Sequence, residues 1–104
     1  MAEALKHGYN RGRRPELSFF RDSRGLECDL LYPSGGRLLA IEVKSGATIA
    51  SDWFGALGRV VPLLPGCETG AVVHGGDERQ TRTAGEAVPL ADFSPLLARF
   101  DDAA

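Results

Sequence analysis

The sequence lacks the features that mark a membrane, secreted or zinc-binding protein. It has no uninterrupted run of about 18 apolar residues, so no membrane-spanning helix is expected. The amino-terminal residues do not follow the charged, apolar and small-residue order of a secretory signal, and we therefore expect a cytoplasmic location. The two cysteines, Cys28 and Cys67, form no CxxC pair and have no cluster of histidines near them in sequence. We expect reduced, structural thiols at both positions.

The sequence also lacks a strong net charge. Its formal charge of −2 argues against a protein that coats nucleic acid by bulk electrostatics. The charge is nevertheless uneven, because residues 1–25 hold six basic and three acidic side chains, whereas the remaining residues hold six basic and eleven acidic ones. Part of this excess lies in the loop NRGRRP at 10–15. Its arginines, Arg11, Arg13 and Arg14, are candidates for phosphate contacts, and a solvated loop is the slightly favoured alternative.

The length of 104 residues, with 43% of them hydrophobic, indicates one domain over 1–104. Residues 1–8 have the pattern of a short helix that begins without a capping residue. This pattern suggests either a chain start inside a longer helix or a domain excised from a larger protein. Turn residues then separate three segments that are predicted to be strands, at 16–22, 26–32 and 37–45. Such short connections, at 23–25 and at the PSGG of 33–36, predict an antiparallel meander.

The second half of the chain changes to a helical period. Apolar residues recur at helical spacing from Ser51, the predicted N-cap, to about residue 64. An apolar strand at 69–74 follows, and the helical crossover predicts that it is parallel to its neighbour. A small polar hairpin at 75–86, an edge strand at 87–90 and a helix at 91–100 with a frayed tail complete the pattern. We therefore predict an α/β domain with a mixed central sheet flanked by helices.

Charged residues gather on the second and third predicted strands. Strand alternation places Glu27 and Asp29 on one face, and likewise Glu42 and Lys44. If the hairpin register brings these faces together, three carboxylates and one ammonium group converge, and the carboxylates repel each other unless a cation or proton relieves them. Mg²⁺ suits oxygen ligands better than zinc does, and it promotes phosphodiester hydrolysis. The alternative is a solvated surface pair of small energetic value.

This pattern resembles that of the PD-(D/E)XK superfamily of metal-dependent nucleases, which includes restriction endonucleases and archaeal Holliday-junction resolvases. The shared features are Asp29, then Glu42, Val43 and Lys44 on the next strand, within the order αβββαβ. More closely, the stretches RDSRGLECDLL, IEVKSGAT and VVHGGDERQTRTAG resemble an uncharacterised nuclease-like domain. That domain lies at the carboxy-terminal end of many prokaryotic P-loop (AAA+-like) ATPases, and the resemblance extends from about residue 2 to 100.

The resemblance implies a restriction-endonuclease-like αβββαβ core with a Mg²⁺ or Mn²⁺ site. In that pattern Lys44 is the catalytic lysine. The chain departs from the superfamily pattern in having Cys28 where a proline often precedes the aspartate and in a truncated first helix. It departs from the close relatives in lacking their ATPase module. The metal ligands implied are Asp29, Glu42, the backbone carbonyl of Val43, and the supporting acids Glu27 and Glu3.

The predicted function is therefore metal-dependent cleavage of phosphodiester bonds in DNA. The predicted partners are DNA and a P-loop ATPase module or partner protein, with a homodimer left open and no membrane. The alternative is a non-catalytic module of the same fold that binds nucleic acid or regulates an ATPase, and a third is a fragment of a truncated ATPase. Four aromatic residues are expected in the core or over the sheet rather than as base-stacking platforms: Phe19, Phe20, Trp53 and Phe54.

Overall fold

Six strands and two α-helices make up the part of the chain that the computed structural model describes, residues 18–23, 25–83 and 85–103. The predicted helix at 1–8, with Glu3, and the arginines at positions 11, 13 and 14 lie outside these residues. The strands are β1 (Ser18–Arg21), β2 (Glu27–Ser34), β3 (Arg37–Lys44), β4 (Cys67–His74), β5 (Gln80–Arg82) and β6 (Gly85–Pro89), and the helices are α1 (Ser51–Val60) and α2 (Phe93–Asp102).

The strands form one mixed sheet in the order β1-β2-β3-β4-β6-β5. The first three strands are an antiparallel meander, and β4 is parallel to β3, so both predictions are confirmed. The predicted edge position of residues 87–90 is wrong, because β6 lies inside the sheet, parallel to β4, and β5 forms the edge. Physically, β6 is almost wholly buried whereas the polar β5 is largely exposed, and polar residues suit an edge strand.

Helices cover both faces of the sheet, as predicted. Apolar residues of α1 pack on one face, and those of α2 pack on the other. The N-cap prediction is wrong by one position, because Ala50 occupies that place and Ser51 is the first helical residue. A short 3₁₀ turn containing Pro62 follows α1. None of the helices in the described ranges has the length and apolar character needed to cross a membrane.

The β2–β3 turn is shorter than the four residues predicted. Strand β2 continues through Ser34, and only Gly35 and Gly36 connect it to β3. Their φ angles of 59° and 80° are both left-handed, which glycine adopts without steric cost. The turn therefore fixes the register in which Leu30 lies opposite Ile41.

Strand β2 carries one extra residue, a β-bulge, between Cys28 and Leu31. On the β1 side, Ser18 pairs with Leu31 and Phe20 pairs with Cys28, so fewer residues of β1 span the same length. As a result Cys28 packs under α1 whereas Leu30 packs under α2. Strict alternation would put both on one face, so the alternation assumed from the sequence is wrong here. Bulges re-aim side chains and are frequent beside active sites.

The last turn of α2 is anchored to β2 rather than frayed. The hydroxyl of Tyr32 donates to the Asp101 carboxylate at 3.0 Å, and the hydroxyl of Ser34 donates to it at 2.6 Å. Both hydroxyl-bearing residues are buried. The prediction of a frayed tail therefore does not hold at Asp101.

Candidate metal and catalytic site

Asp29 and Glu42 are joined by reciprocal hydrogen bonds at the open end of the β2–β3 hairpin. The N–H of Asp29 donates to Oε1 of Glu42 at 3.3 Å, and the N–H of Val43 donates to Oδ2 of Asp29 at 2.9 Å. The β2–β3 ladder pairs Leu30 with Ile41 and does not continue to Asp29. Both N–H groups therefore bind carboxylates where strand pairing would otherwise use them. The end of the hairpin therefore binds two carboxylates in place of a further ladder pair.

Glu42 is the buried member of this pair. It is 7% exposed, whereas Asp29 is exposed to solvent. Burial raises the pKa of Glu42 above its usual range, the negative charge of Asp29 raises it further, and the Lys44 ammonium opposes the shift. The net direction is upward, so the Lys44 charge does not fully offset the burial of Glu42 and its repulsion by Asp29. Such a pair favours an additional cation.

Lys44 lies beside the acid pair and keeps contact with solvent. Its Nζ is 3.8 Å from Oε2 of Glu42, and 39% of its side chain is exposed. A partly exposed ion pair at this separation is weak, because water screens it. The ammonium group can therefore bind Glu42 and still be reached by an incoming anion.

Glu27 forms an ion pair away from Asp29, Glu42 and Lys44. Its Oε2 is 3.3 Å from Nε of Arg21 on β1, and both side chains are well exposed. In the described ranges no three side chains of His, Cys, Asp or Glu are grouped so as to hold a metal ion. The structure thus brings together Asp29, Glu42 and Lys44 but places Glu27 in a surface ion pair.

Cys28 has the properties of a structural thiol, as predicted. Its Sγ donates to the carbonyl oxygen of Ile41 at 3.3 Å. Burial raises the pKa of this thiol to about 11, and the negative charges of Glu42 and Asp29 add to the increase. The thiol is therefore protonated at neutral pH, which makes it a poor nucleophile and a poor metal ligand.

His74 stabilises the strand end next to Lys44. The sequence around His74 did not indicate this role. It is 1% exposed, at the end of β4, where it pairs in register with Lys44. The N–H of Gly76 donates to Nδ1 at 3.0 Å, so Nε2 carries the proton and donates to the carbonyl of Glu78 at 2.8 Å. The centre of the His74 ring is 5.8 Å from that of the Trp53 ring, and the His74 hydrogen bonds close the turn after β4.

That turn packs directly against the segment that follows Lys44. The N–H of Gly75 donates to the carbonyl of Gly46 at 3.1 Å. A Cβ atom added to Gly76 would lie 2.1 Å from the carbonyl oxygen of Ala47. The stretch His74-Gly75-Gly76 therefore holds the end of β3 in place, and the consecutive glycines after an apolar strand were the available sequence signal.

Fold and site together define an α/β domain with a mixed six-stranded sheet and an acid pair beside a lysine at one end of it. The chain belongs to the family described as Domain of unknown function (DUF4143), whose profile matches residues 1–93. That span includes all six strands and α1 and ends at the first residue of α2. No curated protein and no solved structure matches the chain.

Proposed function

We propose that this domain is a metal-dependent nuclease of the restriction-endonuclease-like fold, which hydrolyses phosphodiester bonds in DNA. The observation that carries the proposal is the reciprocal hydrogen bonding of Asp29 and Glu42, which gathers two carboxylates beside Lys44. The described order βββαβ agrees with the core that the PD-(D/E)XK resemblance implies. In that pattern this group of residues cleaves DNA.

The donor set fits Mg²⁺ or Mn²⁺. Asp29 and Glu42 supply carboxylate oxygens, and the backbone carbonyl of Val43 is the third ligand that the resemblance implies. The raised pKa of Glu42 supports this fit, because a cation would stabilise the ionised form that burial and Asp29 disfavour. When bound, the ion would polarise the phosphate and make a bound water more acidic.

The protein's own residues would perform three tasks. Glu42 is fixed by the Asp29 N–H and Asp29 by the Val43 N–H, so both ligands are positioned before substrate arrives. Asp29, as the exposed acid, faces the side from which substrate enters. Lys44 orients the attacking water and offsets the negative charge that grows on the phosphate oxygens.

Two measurements test this proposal. Calorimetric titration with Mg²⁺ and Mn²⁺ is expected to show binding to the wild type and to Asp77→Asn, but much weaker binding to Asp29→Asn. Cleavage of labelled DNA is expected to fall roughly 100-fold or more in Asp29→Asn and in Lys44→Gln, while both variants still fold and melt cooperatively. Asp77 is a suitable control because it is an exposed acid in the turn after β4. Cleavage that survives in both site variants would refute the proposal.

One observation favours a second candidate, a non-catalytic module that binds nucleic acid or regulates an associated ATPase. Glu27 is bonded to Arg21, so the described residues supply only two side-chain carboxylates to the site. This candidate needs no metal. DNA binding without any metal binding at millimolar concentration would support it over the enzyme.

A further inference from the structure

Phe19 lies on the edge strand directly across from the bulge that carries Asp29. Its neighbours Ser18 and Phe20 pair with Leu31 and Cys28, so Phe19 is opposite the extra residue of β2. Its side chain is 66% exposed. The expectation that this aromatic residue belongs to the core or covers the sheet is therefore wrong, whereas Phe20 does pack against the apolar cluster under α1.

The guanidinium group of Arg21 lies over the Phe19 ring. The guanidinium carbon of Arg21 is 5.6 Å from the centre of the Phe19 ring, and its Nε is 3.3 Å from Glu27. Phe19 and Arg21 are two positions apart on β1, so both side chains project from the same face of the strand. Arginine stacks on flat rings and also binds phosphate oxygens, and Arg21 remains largely exposed.

The ring borders a cleft that reaches the candidate site. The cleft has a volume of about 190 Å³. Asp29 belongs both to this cleft and to the acid pair with Glu42, so the two features are continuous. The lining residues are Phe19, Phe20, Arg21, Glu27, Cys28 and Asp29.

We propose that Phe19 and Arg21 bind one unstacked nucleotide, so that the substrate is DNA with an unpaired base beside the scissile phosphate. This inference rests on the nuclease function proposed above. Bases within a duplex already stack on both neighbours, whereas an unpaired base gains stacking energy from a solvent-exposed aromatic ring. The cleft has room for a single base, and Arg21 lies where it can bind that nucleotide's phosphate. Phe19 is thus a residue that determines specificity for single-stranded or branched DNA.

Equilibrium binding tests this inference independently of cleavage. The probe is a single-stranded oligonucleotide containing 2-aminopurine, compared with the same sequence as a blunt duplex. Binding is measured with wild-type protein in EDTA and with Asp29→Asn in Mg²⁺. Phe19→Ala is expected to weaken single-strand binding about 5- to 100-fold and to leave duplex binding unchanged, while Phe19→Trp restores the affinity. Leu90→Ala, which removes another exposed apolar side chain, is the control expected to change neither.

Cleavage assays then separate the two proposals. Wild-type protein is expected to cut single-stranded or flapped DNA faster than blunt duplex, and Phe19→Ala is expected to lose this preference. Unchanged single-strand affinity in Phe19→Ala would overturn the role of Phe19. So would the absence of single-strand binding both by the wild type in EDTA and by Asp29→Asn in Mg²⁺. If Asp29→Asn abolishes cleavage while Phe19→Ala behaves as wild type, the nuclease proposal stands and this inference falls.

Discussion

Asp29 both stabilises and destabilises the ionised form of Glu42. Its backbone N–H donates to Oε1 of Glu42 at 3.3 Å, whereas its carboxylate repels that of Glu42. Burial of Glu42 adds to the repulsion, and the pKa of Glu42 rises as a result. The acid pair therefore costs the fold stability at neutral pH and favours a bound cation.

At pH values above neutral and without metal, Glu42→Gln is expected to have a higher melting temperature than the wild type. Because the folded pKa lies above the ordinary value of 4.5, the folded state holds more protons than the unfolded state in the interval between the two. The free energy of unfolding therefore falls as the pH rises through that interval. Glutamine keeps an acceptor for the Asp29 N–H and has no charge to desolvate. Melting curves of Glu42→Gln from pH 4 to 9, with Glu68→Gln as an exposed control, check this, and a lower melting temperature for Glu42→Gln would contradict it.

The effect of Mg²⁺ on stability is expected to grow with pH. Glu42 binds a cation in its ionised form, so the increase in melting temperature caused by Mg²⁺ should be small below the raised pKa of Glu42 and larger above it. Thermal melts with and without millimolar Mg²⁺ at several pH values provide the measurement. Glu42→Gln should lose most of this increase, and an equal increase at all pH values would count against the site.

Alanine at Gly76 is expected to destabilise the fold by about 3 kcal/mol. Its Cβ atom would overlap the carbonyl oxygen of Ala47, so the turn after β4 and the segment after Lys44 would have to separate. Gly55→Ala is the matched control, because a Cβ atom added to Gly55 in α1 would lie 3.9 Å from Nη1 of Arg59, an ordinary contact. That substitution should stabilise the protein by about 1 kcal/mol through helix propensity. Urea unfolding of both variants measures the two effects, and equal stabilities would refute the packing argument.

Removing the Asp101 carboxylate is expected to cost about 2–3 kcal/mol. Asp101→Ala leaves the buried hydroxyls of Tyr32 and Ser34 without this acceptor. Asp101→Asn keeps an acceptor oxygen and should recover part of the loss. Asp77→Ala, at an exposed position, should change the free energy of unfolding by no more than about 0.5 kcal/mol. A loss no larger than that of the control would show that the end of α2 is not anchored.

Both thiols are expected to resist modification in the folded protein. Burial raises the pKa of Cys28 to about 11 and also raises the pKa of Cys67, so little thiolate is present at pH 8. Reaction with dithionitrobenzoate should be slow in native buffer and complete for two thiols per chain in guanidinium chloride. Rapid native labelling would contradict the buried position of these side chains.

The sequence predicted most of the sheet because its signals are local. Turn residues and apolar periodicity identified the three-stranded meander, the α1 crossover and the parallel β4. The position of β6 was not predictable in this way, because the choice between an edge and an interior place depends on which strand covers it. Local rules contain no such information.

The candidate site was predictable in composition but not in detail. Alternation brought Glu42 and Lys44 to one face, and the structure places them together with Asp29. The same rule could not reveal the bulge, which places Cys28 and Leu30 on opposite faces of the sheet and sets Phe19 across from the bulged residues of β2. His74 also contacts Trp53, which lies far from it in sequence. The residues next to His74 therefore could not predict that it is buried.

The bulge in β2 has a consequence for how this domain tolerates genetic change. Point substitutions within residues 28–31 would alter the chemistry at the end of the hairpin but leave its spacing intact. Deleting a codon next to that of Asp29 would remove the extra residue and change the register that brings the aspartate beside its glutamate partner. We therefore expect a deletion within residues 28–31 to impair the domain more than most point substitutions there.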